Sequence, residues 1–270
     1  MTVFLTRPSN SSELSTTLGI GIVDDVEMFS RREYILDLMQ NGHILYMASD
    51  GYGKTTFLQN ILLGLSIKNS VKNLEIYVLD MGRHGLAPYK KLNHVVDYFS
   101  YGDIDRLDKF YKSIMDIMLE RKKLLDSALL ENFLQYNQSH ASHLPAVVIA
   151  VDDYEHIDEF EKMPELIKKV AIEGCDLGIY LAVTLTHTDA MKISTMINFK
   201  ERIAGFNYID GEIDNLIGQC RMHLTKGRIG RALVDMDGIK LMQLYTPISH
   251  GENLEELIAD INRATKNEQL

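Results

Sequence analysis

The chain has 270 residues, of which 46% are hydrophobic, so it can bury a sizeable core without disulfides or metals. Its formal net charge of −10 argues against a surface that coats nucleic acid, because such a surface needs clustered cations. No apolar run approaches the roughly 20 residues that span a bilayer, and residues 1–10 lack the regions of a signal peptide, which favours a soluble piece. Cys175 and Cys220 lie far apart, so we expect two small core residues in a reducing compartment rather than a disulfide or zinc site.

Strands and helices alternate along the first half of the chain. We expect short strands at Val3–Leu5 and Leu18–Val23, then a helix at Arg31–Gln40. The run Leu74–Leu79 has the composition of a buried parallel strand, and Ile104–Leu125 has the apolar spacing of a long amphipathic helix. On that helix we interpret the basic triplet at residues 121–123 as part of the solvated face.

The second half continues the alternation and then changes character. Ala146–Val151 and Gly178–Leu185 are the most apolar strands, and helical segments between strands imply parallel pairing. Asp237 and Gly238 form a hairpin turn signal, which predicts an antiparallel edge. Asn253–Asn262 has the spacing of a capped terminal helix, and 264–270 reads as a disordered tail.

The most informative motif is a phosphate-binding loop between a strand and a helix. It follows the apolar run His43–Met47 and opens into an amphipathic stretch, Thr56–Leu65. In such a loop the backbone amides bind phosphate, the lysine reaches the terminal phosphates and the next hydroxyl binds magnesium. The first glycine of the strict pattern is replaced by Ala48, which gives up the freedom to adopt a positive φ. The residues predicted to bind the nucleotide are Ser49, Asp50, Gly51, Tyr52, Gly53, Lys54, Thr55 and Thr56; Tyr52 either stacks on a base or packs internally.

A second motif, formed by two aspartates, follows the strand Ala146–Val151. Asp152 is predicted to hold magnesium together with Thr55, because both offer hard oxygen ligands. Asp153 stands where a water-polarising carboxylate is needed and, with Lys54, is our candidate catalytic residue. An aspartate is one methylene shorter than the glutamate usual there, so we expect slow hydrolysis or none.

Several further short motifs occur in order: Gly21–Asp25, Gly42–His43 before the phosphate loop, Leu79–Gly82, Leu144–Pro145 leading into Asp152, and Gly178–Thr184 as the sensor strand. With these motifs the chain resembles the FtsK/SpoIIIE-like P-loop ATPases, and more narrowly the C-terminal ATPase domain of the EssC/EccC type VII secretion motor. The resemblance implies an α/β fold of RecA/FtsK type, with a mostly parallel sheet flanked by helices and an antiparallel edge hairpin. It implies a single domain over 1–270, with leading strands and a helix at 1–40, a nucleotide-binding core at 41–263 and a tail at 264–270.

By the same resemblance, the cofactors are ATP and Mg²⁺, and the chain is the last ATPase domain of a membrane-anchored protein at the cytoplasmic face of the membrane. Its partners would be the other ATPase domains of that protein and small helical-hairpin secretion substrates, with a homo-hexamer as the assembled form. One hypothesis is a module that binds ATP, hydrolyses it weakly and recognises or gates substrates. The alternative is a motor ATPase that needs neighbouring domains or a hexamer. DNA translocation is disfavoured by the acidic charge.

Some residues depart from the family pattern or admit two interpretations. Leu185 and Thr186 follow the sensor strand where relatives carry a polar or basic residue, and Gly205 and Phe206 replace a trans-acting arginine. Arg228 and Arg231, in the basic run 226–231, are interpreted as part of a solvated approach to the hairpin, with substitute arginine fingers or a partner-binding patch as the alternatives. Three histidines complete the set: His140 and His143 are interpreted as surface residues rather than zinc ligands, and His187 either caps a helix or lies near the γ-phosphate.

Overall fold

The computed structural model describes residues 14–25, 29–248 and 252–266, so the predicted strand at Val3–Leu5 lies outside the described residues. Within these ranges the strands are β1 Thr17–Asp25, β2 Ser30–Asp37, β3 Ile44–Met47, β4 Leu74–Asp80, β5 Val95–Ser100, β6 Ala146–Asp152, β7 Ile179–Leu185, β8 Glu201–Gly205, β9 Arg231–Asp235 and β10 Ile239–Leu244. The helices are α1 Leu38–Asn41, α2 Lys54–Lys68, α3 Ile104–Ala128, α4 Phe133–Ser139, α5 Met163–Glu173, α6 Ile193–Met196, α7 Glu212–Ile217 and α8 Leu254–Lys266. Short 3-10 turns lie at Ala87–Lys91, Tyr154–Glu159, Cys175–Leu177 and Thr188–Ala190.

One ten-stranded sheet organises the described chain, in the order β2-β1-β10-β9-β8-β3-β7-β6-β4-β5. The six strands from β8 to β5 pair in parallel, whereas β9, β10, β1 and β2 extend the sheet by antiparallel pairing. The α/β fold with a mostly parallel sheet is therefore confirmed, and so is the antiparallel edge. Because the parallel strands end at one edge of the sheet, the loops after β3, β4, β6, β7 and β8 converge there.

The two faces of the sheet carry separate apolar cores. Along β3, Ile44 and Tyr46 belong to one core and Leu45 and Met47 to the other, as the two-residue period of a strand requires. Helix α2 lies in the first core and is buried around most of its circumference, with no solvated stripe. Its predicted amphipathic character is therefore wrong: tertiary burial from several sides removes the need for a polar face.

The segment predicted as a helix at Arg31–Gln40 is instead strand β2 followed by the single turn α1. Burial alternates along it, since Tyr34 and Leu36 are buried while Ile35 is exposed. Antiparallel pairing with β1 provides the reason, and it places Arg31 close to Asp24, with 2.8 Å between Nε and Oδ1. A helix at these residues could not form the backbone hydrogen bonds that β2 makes with β1.

The C-terminal helix begins where its capping signal predicts but ends later. Asn253 Oδ1 accepts a hydrogen bond from the amide of Glu255 at 3.0 Å, and Ile258 and Ile261 are buried. The helix continues to Lys266, so the predicted tail is wrong for residues 264–266. No helix in the described ranges is both long enough and apolar enough to cross a membrane.

The basic triplet on α3 is not a uniform solvated face. Arg121 is buried and donates to the carbonyl oxygens of Leu177 (2.6 Å), Gly178 (3.3 Å) and Pro145 (2.7 Å), whereas Lys123 is exposed. Burial lowers the pKa of the Arg121 guanidinium to about 10. The guanidinium thus satisfies carbonyl groups at the entrances to β6 and β7, a role that an amphipathic pattern does not reveal.

The two cysteines also differ from expectation. Cys175 is exposed rather than a core residue, with its Sγ 3.4 Å from Nε2 of the buried His43. Cys220 is half-buried, and both thiols are free. The 3-10 turn at Cys175–Leu177 lies at the end of the sheet opposite the converging loops, because it leads into the start of β7.

We predict that Arg121→Met lowers the free energy of unfolding by about 3 kcal/mol, because buried carbonyl oxygens lose a charged donor. Urea denaturation of the variant measures the loss. The matched control is Lys123→Met, on the exposed side of the same helix, which should change stability by less than about 0.5 kcal/mol. Equal midpoints for the two variants would contradict the structural role of Arg121.

Candidate functional site

The phosphate-loop motif connects β3 to α2, as the strand-loop-helix context requires. Gly53 precedes the helix with φ at +102°, a left-handed conformation that favours glycine. The first backbone bond of the helix runs from Phe57 N to Gly53 O at 2.9 Å. The amides of residues 53–56 therefore have no intrahelical acceptor, and a helix N-terminus of this kind is suited to binding an anion.

Hydrogen bonds to two neighbouring strands hold the start of the loop. The amide of Ala48 donates to Leu185 O at 3.1 Å, and the amide of Ser49 donates to Phe206 O at 2.9 Å. The hydroxyl of Ser49 also accepts the amide proton of Tyr208 at 3.0 Å. Ser49 is thus committed to holding the loop on the end of β8.

The unusual Ala48 has a steric counterpart in Gly205. A Cβ added to Gly205 would lie 2.7 Å from the Ala48 Cβ and 2.6 Å from the Tyr46 hydroxyl. The methyl group of Ala48 therefore occupies space that is free only because residue 205 has no side chain. Ala48 and Gly205, which depart from the family pattern at separate places in the sequence, therefore pack against each other in the fold.

Tyr52 is buried within the protein, which favours the packing interpretation over base stacking. Its ring lies 4.6 Å from that of Phe206 and 5.8 Å from that of Tyr208. Its hydroxyl accepts the amide proton of Gly227 at 3.1 Å, and its carbonyl accepts the Tyr46 hydroxyl at 2.9 Å. The side chain thereby ties the loop that precedes β9 to the phosphate loop.

The ammonium group of Lys54 is buried at the centre of the site. It lies 2.8 Å from Asp153 Oδ1, 2.9 Å from Asp50 Oδ1 and 2.5 Å from the Thr186 hydroxyl. Burial alone would lower the pKa of Lys54, but hydrogen bonds with Asp153 and Asp50 outweigh burial and raise it. Lys54 therefore stays charged, as a phosphate-binding lysine must.

Asp153 approaches Lys54 from the end of β6 in a strained conformation. Its φ is +57°, in the left-handed region that aspartate adopts more readily than most residues. Its amide donates to the Thr184 hydroxyl at 3.0 Å. The carboxylate that we expected to polarise water is thus engaged in an ion pair with Lys54.

Thr55 and Asp152 face each other across the site. The Thr55 hydroxyl donates to Asp152 Oδ2 at 2.7 Å, while the Thr184 hydroxyl donates to Oδ1 at 2.6 Å. Burial raises the pKa of Asp152 to about 6, and the nearby charge of Asp153 adds to the rise. A hydroxyl and a carboxylate in contact form a donor set suited to Mg²⁺, whose positive charge would favour the ionised carboxylate.

The structure adds polar residues that the motif search missed. Asn207 connects the loop to the sensor strand, because its Nδ2 donates to Thr186 O at 2.6 Å and its Oδ1 accepts from the Ser49 hydroxyl at 3.3 Å. Glu155 accepts the amide protons of Thr186 and His187. These contacts span 21 to 158 positions along the chain, so no local pattern indicates them. The one sequence feature that points to these contacts is that Thr186 directly follows the predicted strand Gly178–Leu185.

Asp80, at the end of β4, is a further buried acid next to Asp152. The two residues pair in register across the sheet. Asp80 Oδ2 accepts from the Leu86 amide and from the Tyr98 hydroxyl, both at 2.9 Å. Its bonds shape the loop after β4, which passes close to Thr55 because a Cβ on Gly85 would lie 2.6 Å from the Thr55 Cγ2.

The remaining candidates have ordinary structural roles. Arg231 NH1 lies 3.4 Å from Asp24 Oδ2 at the start of β9, and Arg228 is exposed. His140 stacks on Tyr136 with ring centroids 4.1 Å apart. Across residues 14–25, 29–248 and 252–266, no group of three or more His, Cys, Asp or Glu side chains is placed to hold a metal ion. His187 makes no side-chain cap to the turn that follows it.

This arrangement of sheet, phosphate loop and strand-end aspartate defines the P-loop ATPase fold. The chain belongs to the FtsK/SpoIIIE family, whose model matches residues 9–217. It is homologous to the ATPase domains of EssC and EccC proteins of type VII secretion systems. The type VII secretion system protein EssC of Staphylococcus aureus (strain MRSA252) is 31% identical over 254 residues, which cover 92% of this chain and 17% of that protein.

Solved structures show the same fold. EssC (ATPases 2 and 3) from Geobacillus thermodenitrificans superposes with a TM-score of 0.90 at 25% identity, covering 97% of this chain and 51% of that one. Thermomonospora curvata EccC (ATPases 2 and 3), solved in complex with a signal sequence peptide, gives a TM-score of 0.81 at 20% identity, covering 96% of this chain and 48% of that one. The chain thus spans about half of each of these structures.

We predict a pH-dependent stability contribution from Asp152 in the absence of divalent cations. A pKa raised from 3.8 to about 6 means that the folded state is penalised once Asp152 ionises, by about 3 kcal/mol above pH 6, and that the penalty vanishes below about pH 4. Wild type should therefore lose about 2 kcal/mol relative to Asp152→Asn as the pH rises from 4 to 6, and about 3 kcal/mol as it rises from 3 to 7. Urea denaturation at several pH values measures this difference, with the exposed Asp105→Asn as control. Parallel stability curves for wild type and Asp152→Asn would contradict the raised pKa.

Proposed function

We propose that this chain is a nucleotide-binding, ATPase-like module of a type VII secretion motor, located at the cytoplasmic face of the cell membrane. The observation that supports it most directly is the contact of Thr55 with Asp152 beside the buried, charged Lys54. The amides of residues 53–56 and the ammonium of Lys54 would bind the phosphates of ATP, and Thr55 with Asp152 would hold Mg²⁺. When bound, the metal would neutralise charge on the phosphate oxygens.

We further propose that hydrolysis is weak in the isolated module. Asp153 is paired with Lys54 at 2.8 Å, so polarising a water would compete with an ion pair. At the position where relatives would offer an arginine to a neighbour, Gly205 is buried against Ala48, and the half-buried Phe206 packs on the ring of Tyr52. An arginine finger is worth roughly 10³ to 10⁵ in turnover, so its absence would add a large loss to that caused by the engaged carboxylate.

Substrate recognition is the third part of the proposal. A groove of about 370 Å³ lies between the start of α3 and the segment that leads into α5. Ile104 and Tyr101 line it while remaining 66% and 46% exposed, so apolar surface is available to a partner. The other lining residues are Leu107, Asp108, Tyr111, Glu159, Phe160, Glu161, Lys162 and Met163. An amphipathic segment of a small helical-hairpin substrate matches this mixed chemistry, and a related EccC was solved with a signal sequence peptide.

The second candidate function is a motor ATPase that becomes active only with neighbouring domains or in a homo-hexamer. The observation that favours it is that this chain covers only 17% of the length of EssC, so other domains of such a protein could contribute to catalysis. Neighbouring domains would have to supply the arginine that Gly205 and Phe206 do not. A strong rise in turnover on assembly of the full protein would support this alternative.

We predict that Mg·ATP stabilises the wild-type chain and that Lys54→Ala abolishes the effect. At a ligand concentration of 100 times Kd, the gain in unfolding free energy is about 2.7 kcal/mol. Thermal denaturation with and without Mg·ATP measures it, and the exposed Lys90→Ala is the control for loss of one positive charge. Phosphate release should stay within a few-fold of the Lys54→Ala background. Rapid turnover that Lys54→Ala removes would contradict weak hydrolysis, while no stabilisation of wild type would contradict nucleotide binding.

We predict that Ile104→Asp weakens binding of a labelled signal sequence peptide from a helical-hairpin substrate at least tenfold, because it places a charge in the apolar part of the groove. Fluorescence anisotropy measures the affinity. Ile172→Asp is a matched control, since Ile172 is 55% exposed on α5 and does not line the groove. Equal effects of the two substitutions would exclude this groove as the peptide site.

A further inference from the structure

Asp50 places a second negative charge inside the phosphate loop. Its Oδ1 lies 2.9 Å from Lys54 Nζ, and its Oδ2 lies 3.1 Å from a terminal nitrogen of Arg83. The carboxylate therefore bridges the buried lysine and an arginine on the loop that follows β4. The hydrogen bond with Lys54 holds the pKa of Asp50 below its usual range, so the charge persists at neutral pH.

The hydrogen-bonding capacity of Lys54 limits what a ligand can do. An ammonium group has three protons; Asp50 and Thr186 accept hydrogen bonds from Nζ, and Asp153 Oδ1 lies 2.8 Å away as an ion-pair partner. A phosphate oxygen that approaches Nζ therefore competes with three oxygen atoms already within 2.9 Å. The side chain of Asp50 is 61% exposed against 20% for Asp153, which makes Asp50 the acceptor that can leave at the lower cost.

Arg83 determines where the displaced carboxylate can go. Its side chain is 87% exposed and already contacts Asp50, and a guanidinium can donate two parallel hydrogen bonds to a carboxylate. Rotation of Asp50 toward Arg83 would free one proton of Lys54 and neutralise the carboxylate beside an incoming phosphate. Without Arg83, the same charge would remain close to the ligand and repel it.

We propose that Asp50 is a charge-selective gate of the phosphate site, which competes with phosphate for Lys54 and opens by moving onto Arg83. The proposal rests on nucleotide binding at this site, and it adds a specificity-determining residue to it. The gate discriminates by ligand charge: metal-free ATP, which carries more negative charge than Mg·ATP, is disfavoured more strongly.

The test is a double-mutant cycle on the whole chain, with Mg·ATP and metal-free ATP as the probes and isothermal titration calorimetry as the measurement. Asp50→Asn should tighten binding of Mg·ATP about fivefold and of metal-free ATP by a larger factor, because the repelling charge is gone. Arg83→Gln should weaken Mg·ATP several-fold in the wild-type background and have no effect in the Asp50→Asn background. The exposed Asp158→Asn and Arg221→Gln are controls for the change in net charge.

Each contrary outcome has its own meaning. If Asp50→Asn does not tighten binding, or tightens both probes equally, Asp50 is no charge gate. If Arg83→Gln costs the same in both backgrounds, Arg83 acts on the ligand directly and the gate is overturned. In both cases wild type still binds nucleotide, so the proposed function stands. Failure of the wild-type chain and of Asp50→Asn to bind either probe would overturn the proposed function together with the gate.

Discussion

The contacts of the Lys54 ammonium are the constraint on which the rest of the site depends. A charge buried to this degree persists only if its protons are accepted, and here the acceptors come from the phosphate loop, the end of β6 and the end of β7. One side chain thus links three loops. The parallel sheet makes this possible, because it brings the ends of β3, β6 and β7 to the same edge.

The sequence predicted those parts of the molecule that depend on local pattern. Apolar runs marked the buried strands β4, β6 and β7, and the loop motif with Asp152 located the proposed nucleotide site. The contact of Thr55 with Asp152 could be predicted because each residue has a fixed place in its motif, Thr55 in the first turn of α2 and Asp152 at the end of β6. Their chemical roles remain proposals.

Other features depend on contacts between distant segments. Tyr34, Ile35, Leu38 and Met39 have helical spacing, whereas Tyr34, Leu36 and Leu38 have strand spacing, and only the pairing of β2 with β1 decides between the two. The burial of Arg121 depends on carbonyl groups 24 to 57 positions away. Asp50 and Arg83 lie 33 residues apart, so their ion pair could not be inferred from spacing. In each case the structure is decided by contacts between distant segments, whereas a sequence pattern reflects only residues that are close along the chain.

The fit between Ala48 and Gly205 has an evolutionary consequence. A side chain at 205 would collide with the Tyr46 hydroxyl as well as with the methyl group of Ala48, so residues 46, 48 and 205 share one small volume and cannot change independently. We therefore expect the three positions to covary among homologous domains, with glycine at 205 wherever a tyrosine stands at 46.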